Sequence, residues 1–152
     1  MQENLIQKTE KHERGQSMVE LAISLIVILY LLMGAVEFSI ALFQYVTISD
    51  AAQEGAIYGS VNPLDTNGMK QRAVATASDI LVLDPGNITV SLVGDGYCEG
   101  LSALGLGPPN SIKVEIKYSH QIFLPLVTPM IGTDKIRLTA VTTNTILQPP
   151  CG

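Results

Sequence analysis

The sequence predicts an α+β protein: a long N-terminal transmembrane helix continues into a small extracytoplasmic domain of one helix packed on an antiparallel sheet of about three strands. Three observations lead to this fold class. Residues 18–43 carry only two charges, residues 69–83 space their apolar side chains as a helix does, and strand-like segments follow one another without an intervening helix.

The apolar segment is long enough to cross a membrane. Between Met18 and Phe43 the only charged residues are Glu20 and Glu37, and there is no proline. A helix rises about 1.5 Å per residue, so roughly 20 residues span a hydrocarbon core of ~30 Å. A buried helix of a soluble protein is the alternative, but such helices are rarely apolar on all sides over this length. We therefore expect a transmembrane helix in contact with membrane lipid.

Basic residues predict the orientation of this helix. Lys8, Lys11 and Arg14 precede it, and no Lys or Arg follows until Lys70. The positive-inside rule then places the N-terminus in the cytoplasm and the chain after about residue 44 outside. A conventional secretory signal is disfavoured, because no small-residue cleavage site follows the apolar core. We expect a single-pass protein of the cytoplasmic (inner) membrane with an extracytoplasmic C-terminal domain.

Two helical segments are predicted next. Residues 44–60 keep helical character, and Pro63 and Gly68 mark a turn after them. Residues 69–83 are predicted to form a second helix that packs on the sheet and stops at the sequence Asp84-Pro85-Gly86. Its apolar stripe consists of Met69, Ala73, Val74, Ala77, Ile80 and Leu81.

Residues 87–93, 112–118 and 135–146 are predicted strands. The middle one is the clearest, because apolar Ile112, Val114 and Ile116 alternate with charged residues, as in a strand with one buried and one wet face. Strands that follow one another directly form an antiparallel sheet. His120, at the end of the middle strand, is expected at the surface or in a turn.

Composition excludes several function classes. The formal net charge is −5, and the six Lys and Arg beyond residue 20 are scattered, so nucleic-acid binding is not expected. His12 and His120 are far apart, and the glycine-rich stretch between the first two strands has no nucleotide-binding motif. No catalytic triad or Cys-His set is visible. We predict no enzyme activity, no cofactor and no metal.

Cys98 and Cys151 form a candidate disulfide. They lack the clustered ligands of a zinc site, and a disulfide is the natural state of two cysteines outside the cytoplasm. Closing such a loop would contribute on the order of 4 kcal/mol in the chain-entropy model. Two free thiols are the alternative.

Glu20 is the residue that demands an explanation, because a carboxylate at the mouth of an apolar segment needs a cationic partner or a proton. If the chain were cut between Gly15 and Gln16, the new α-amino group would lie about one helical turn from Glu20. In subunits stacked with an axial shift, the carboxylate of one could then meet the amine of the next. Such a pair would fix the axial register between protomers.

The stretch RGQSMVEL resembles a class III prepilin processing site, with a basic leader, a glycine before the cut and a glutamate at the fifth mature position. Residues 13–60 resemble the N-terminal signature of TadE-like pseudopilins of the tight-adherence (Flp) pilus machinery. The shared features are GQ.MVE, the pair Glu37-Phe38 and the motif AAQEGAIYG. Gly59 departs from the pattern, since the family usually has alanine there.

The resemblance implies a domain organisation and a function. Residues 1–15 would be a cytoplasmic leader removed by a prepilin peptidase, 16–43 the transmembrane helix, 44–60 its extension and 61–152 the extracytoplasmic head. The protein would be a minor pseudopilin in pilus assembly. It would work with other pilin-like subunits and the Tad inner-membrane assembly machinery, either from the membrane or as part of the pilus.

Alternatives stay open for Glu20, for Glu37 and for the function of the whole chain. Glu20 could be an interfacial residue of an uncleaved signal anchor whose head binds a surface or cell-wall ligand. Glu37 could extend its carboxylate to the opposite membrane interface or pair there with a partner subunit. A membrane-tethered enzyme is a third reading, but it needs a catalytic set that the sequence does not show.

Overall fold

The structure, a computed structural model, describes residues 3–94, 110–124, 128 and 132–147, with the backbone alone described for residues 3–14. Its elements are helix α1 (Glu3–Val61), helix α2 (Thr66–Ala77), a 3-10 turn (Pro85–Asn87) and strands β1 (Ile88–Val93), β2 (Ser111–Gln121) and β3 (Lys135–Thr145). The chain divides into an N-terminal unit, Met1–Ser39, and a head unit, Ile40–Gly152. The predicted α+β class is confirmed.

Helix α1 continues without interruption from the apolar segment into the head unit. No proline occurs before Pro63, and the helix ends at Val61, where the Asn62 N–H still donates to the Tyr58 carbonyl at 3.0 Å. Proline disfavours helical geometry in the residue before it, which accounts for the end of the helix at this place. The predicted helical character of residues 44–60 is therefore confirmed.

The sheet is antiparallel in the order β1-β2-β3, so the sequence neighbours are also spatial neighbours. Val114 of the central strand pairs with Val90 on one side and Thr142 on the other. Ile112, Val114 and Ile116 are fully buried on one face, as their alternation predicts. β2 extends beyond the predicted segment at both ends, and β1 begins one residue later than predicted because Asn87 belongs to the 3-10 turn.

Two helical segments cover the buried face of the sheet, where the sequence predicted one. The core combines residues of α1, α2 and the sheet, and its largest members include Ile48, Met69 and Ile116. The packing of the end of α1 on the sheet was not predicted. Its last turns carry small residues such as Ala52 and Ala56, which have weak hydropathy signals but are fully buried.

Glycines allow α1 to approach its neighbours closely. A Cβ on Gly55 would lie 3.1 Å from the backbone oxygen of Met69 and 3.7 Å from Cγ1 of Val114. A Cβ on Gly59 would lie 2.8 Å from both Cδ1 of Ile112 and Sδ of Met69. The departure from the family pattern at Gly59 therefore has a structural counterpart, because the neighbouring side chains occupy the space of an alanine methyl group.

The predicted limits of the second helix were wrong. α2 begins at Thr66 and ends at Ala77, and the segment after it alternates: Leu81 and Leu83 are buried, whereas Val82 is 91% exposed. This alternation is typical of an extended chain, in which successive side chains point to opposite sides. Asp84 does not stop a helix; its carboxylate accepts a hydrogen bond from Gly86 N at 2.8 Å and caps the 3-10 turn.

Candidate functional site

The residues of the predicted processing site lie in helix α1. Gly15 and Gln16 are exposed, and a Cβ on Gly15 would meet no atom within 4 Å. The backbone here is helical on both sides of the Gly15–Gln16 bond. Nothing in the described residues covers this bond.

Glu20 is exposed on the same helix, four residues after Gln16. Its backbone carbonyl accepts a hydrogen bond from Ser24 Oγ at 2.8 Å, in addition to its role in the helix. Its carboxylate makes no ion pair or hydrogen bond within the described part of the chain. A rise of about 1.5 Å per residue separates Gln16 and Glu20 by roughly 6 Å along the axis. Gln16 and Glu20 thus lie one turn apart on the same helix, and the predicted pairing of Glu20 with the amine of a neighbouring subunit stays a prediction.

The apolar side chains of residues 18–43 are exposed on every side of the helix. Met18 is 75% exposed, Leu31 70% and Phe38 69%. The most apolar 18-residue window of α1 has a mean hydropathy of 2.5, and none of that window is buried. By length and composition, the helix from Gly15 to Val61 contains a candidate membrane span. A surface of this kind needs lipid or other helices to cover it.

Glu37 lies near the end of the apolar segment and is half buried. It takes part in an interaction within the chain. Its predicted pairing at a membrane interface stays a prediction.

A buried polar contact joins α1 to the end of β2 within the head unit. His120 is only 1% exposed, and its Nδ1 lies 2.7 Å from Oε1 of Gln44. Since an amide oxygen only accepts, this geometry assigns the hydrogen to Nδ1. The ring of Phe123 meets the imidazole edge-on at 6.2 Å. The expectation of a surface or turn position for His120 was wrong, although one more step of the β2 alternation would have predicted its inward orientation.

A second missed network fixes the start of α2. The Asp65 carboxylate accepts hydrogen bonds from Gly68 N at 2.9 Å and from the Tyr58 hydroxyl at 2.8 Å. The Gly68 N–H, and then the Tyr58 hydroxyl, hold the pKa of Asp65 below its usual value. The same hydrogen bond raises the pKa of Tyr58. A Cβ on Gly68 would overlap the Asp65 carboxylate, so this cap requires glycine there.

Replacing Asp65 with alanine is expected to lower the melting temperature of the head by a few degrees at pH 7, because α2 loses its N-cap. The folded pKa of Asp65 is lowered, so its stabilisation is present above the unfolded value of about 4 and is lost as the pH falls through the folded value. Thermal melts from pH 7 to pH 2 should therefore show the gap to the wild type narrowing below about pH 4. A gap that does not change with pH would contradict a role for the charge, and Asp65→Asn, which keeps the capping oxygen, is the control.

The remaining candidate sites are the disulfide, a metal site and surface depressions. Cys98 and Cys151 lie outside the described residues, so the candidate disulfide stays a prediction. Among the residues described, no group of three or more His, Cys, Asp or Glu could hold a metal ion. Shallow depressions of about 390 and 400 Å³ lie along the outer side of α2 and share Gln71 and Ala75. Neither brings together the residues of a recognisable reaction.

Comparison with known proteins bears on the N-terminal segment. The family described as TadE-like protein matches residues 15–56, from the glycine of the predicted processing site to the middle of the AAQEGAIYG motif. No curated protein and no solved structure matches the chain. The match supports a pilin-like protein associated with Tad pili. The resemblance to TadE-like proteins is thereby confirmed over the segment that contains Gly15, Glu20, Glu37 and the candidate membrane span.

Proposed function

We propose that this protein is a minor pseudopilin that acts in the assembly of tight-adherence (Flp) type IV pili after processing by a prepilin peptidase. The observation that carries the proposal is the coincidence of two features in one helix. The TadE-like match begins at Gly15, and the helix that follows exposes apolar side chains on all sides. A helix of this kind can leave a bilayer only if other apolar helices replace the lipid around it.

Cleavage after Gly15 creates the charge that Glu20 requires. The α-amino group of Gln16 is cationic below its pKa of about 8, and the leader takes Lys8, Lys11 and Arg14 away with it. Since no basic residue then remains before Lys70, the new amine is the only cation near the apolar segment. In a stack of subunits the amine of one helix meets the Glu20 carboxylate of a neighbour, and this contact sets the axial offset between them.

The topology of the proposal follows from the same charges. The N-terminus lies in the cytoplasm, α1 crosses the cytoplasmic membrane once, and the head unit lies outside. The partners are the prepilin peptidase, other pilin-like subunits and the Tad inner-membrane assembly machinery. The head contributes contacts to the assembly rather than catalysis.

Processing is tested by the intact mass of the membrane-extracted protein from cells with and without a prepilin peptidase. We expect the loss of residues 1–15 only when the peptidase is present. Gly15→Val should block the cut, because the added side chain stands next to the scissile bond. The matched substitution Gly34→Val, at a glycine of the same helix with no neighbour within 4 Å, should leave processing unchanged.

An uncut chain in both strains would overturn the proposal. The Gly15 and Glu20 motif would then be that of an unprocessed signal anchor, and the head would become a candidate for binding a surface or cell-wall ligand. Ligand binding by the purified chain would be the next property to measure in that case.

A further inference from the structure

One face of the sheet has no helix on it in the described part of the chain. The side chains on this face alternate with the buried ones and are exposed or half buried. We call it the open sheet face and define it by Lys113, Glu115, Lys117, Lys135, Arg137 and Val141. Val141, in the middle of β3, is 51% exposed. The face therefore combines an apolar centre with charged surroundings.

The open sheet face is cationic. Its single carboxylate, Glu115, is shared by Lys117 at 3.1 Å and Lys113 at 3.8 Å. Lys135 and Arg137 make no ion pair within the described residues. They occupy one end of β3, opposite the uncharged Gln121 and Ser119. Among the residues with described positions, the two cations at this end therefore have no anionic partner.

The outer side of α1 in the head unit has the complementary composition. We call it the outer stripe and define it by Val46, Asp50, Gln53, Glu54 and Ile57. Val46 and Ile57 are 47% and 45% exposed, Asp50 and Gln53 are exposed, and Glu54 is half buried. Neither carboxylate has an ion pair or side-chain hydrogen bond in the described part of the chain. No basic residue occurs between Arg14 and Lys70.

The two surfaces cannot meet within one copy. Residues on the inner side of α1, including Ile48 and Gly55, pack towards the buried face of the sheet. The outer stripe and the open sheet face therefore lie on opposite sides of the same head. They also match in size, because three strands spaced by ~4.8 Å form a strip about 10 Å wide, close to the diameter of a helix with its side chains.

We propose that the outer stripe of one copy docks on the open sheet face of a second copy. Ile57 covers Val141, while Glu54 and Asp50, which lie roughly 5 and 11 Å further along the helix, face the end of β3 that carries Arg137 and Lys135. The contact joins two different surfaces, so it is heterologous and generates an open chain of heads rather than a closed dimer. It depends on the head alone and does not rest on cleavage at Gly15.

Photo-crosslinking of the full chain in detergent micelles tests the contact. A photoreactive amino acid at Val141, or in a second variant at Thr143, is expected to give dimers and larger species. The crosslinked peptide should contain residues 46–57. Asp50→Lys with Glu54→Lys should lower the yield about fivefold, as should Lys135→Glu with Arg137→Glu, because like charges then face each other.

Combining all four substitutions should restore the yield, because the charges are opposite again. The matched control Lys70→Glu with Arg72→Glu makes the same change of charge on α2 and should have no effect. Three results would each overturn the proposal: no crosslinked species from either position, crosslinks that map outside residues 46–57, or no recovery in the fourfold variant. Circular dichroism confirms that each variant is folded. An intact-mass result against processing would leave this contact unaffected.

Discussion

Replacing Glu20 with alanine is expected to abolish pilus assembly while leaving processing and the fold of the head unchanged. Glu20 is exposed in helix α1, its carboxylate has no partner in the described part of the chain, and it lies one turn from the amine that cleavage would create. Removal of the carboxylate leaves that amine without an anion in an apolar surrounding. The loss falls on the assembled state, because the Glu20 carboxylate makes no ion pair or hydrogen bond with the residues that the structure describes.

The size of the effect follows from the kind of contact. Hydrogen bonds to charged groups contribute about 1.5–3 kcal/mol, and 1.4 kcal/mol corresponds to a factor of ten in affinity. Each addition of a subunit is thus weakened by roughly tenfold or more. Counting surface pili by electron microscopy, together with intact mass and near-ultraviolet circular dichroism of the extracted chain, separates assembly from processing and folding.

Two variants show whether the charge is the cause. Glu20→Gln keeps the size and the hydrogen-bonding oxygen but removes the charge, and it should fail as alanine does. Asp79→Ala removes an exposed carboxylate of the head and should assemble normally. Normal piliation in Glu20→Ala cells would contradict the register role, even if residues 1–15 are removed as proposed.

The fold was predictable in two cases. In the first, apolar and polar residues alternate along an element; in the second, the element is apolar throughout. β2 shows the first case, because Ile112, Val114 and Ile116 are buried and the charged residues between them are not. Helix α1 shows the second, since an uncharged run without proline has few alternatives to a long helix. The candidate site on α1 was predictable for the same reason: Glu20 is conspicuous because its surroundings are apolar.

The missed features depend on particular side-chain contacts rather than on the spacing of apolar residues. His120 is buried because Gln44, 76 residues earlier, offers its amide oxygen to the ring. Helix α2 begins early because Tyr58 and Gly68 both donate to Asp65, which therefore caps the helix. It ends early because Leu81 and Leu83 are both buried. Residues two apart point to the same side in an extended chain, whereas a helix would place them on different sides. The spacing of apolar residues indicates none of these partners.

Gly55→Leu is expected to destabilise the head by overpacking the contact between α1 and α2. A Cβ on Gly55 would already lie 3.1 Å from a backbone oxygen of α2, Met69 O, and 3.5 Å from Cβ of Ala73. A backbone atom cannot turn aside as a side chain can, so α1 and α2 must separate and loosen the core around them. Overpacking costs about 1–3 kcal/mol, and leucine returns up to about 1 kcal/mol through its better helix propensity.

The net loss of about 1–2 kcal/mol should lower the melting temperature of the head by roughly 5–10 °C, measured by near-ultraviolet circular dichroism of the tyrosines in the full chain. Gly34→Leu is the matched control, since it makes the same change in the same helix at a position with no neighbour within 4 Å. It should melt like the wild type. If Gly55→Leu also melts like the wild type, α1 does not approach α2 as closely as the core requires, and the small residues of its last turns have no packing role. If only Gly55→Leu is destabilised, helix α1 has two roles: it carries Glu20, and its last turns form part of the core of the head.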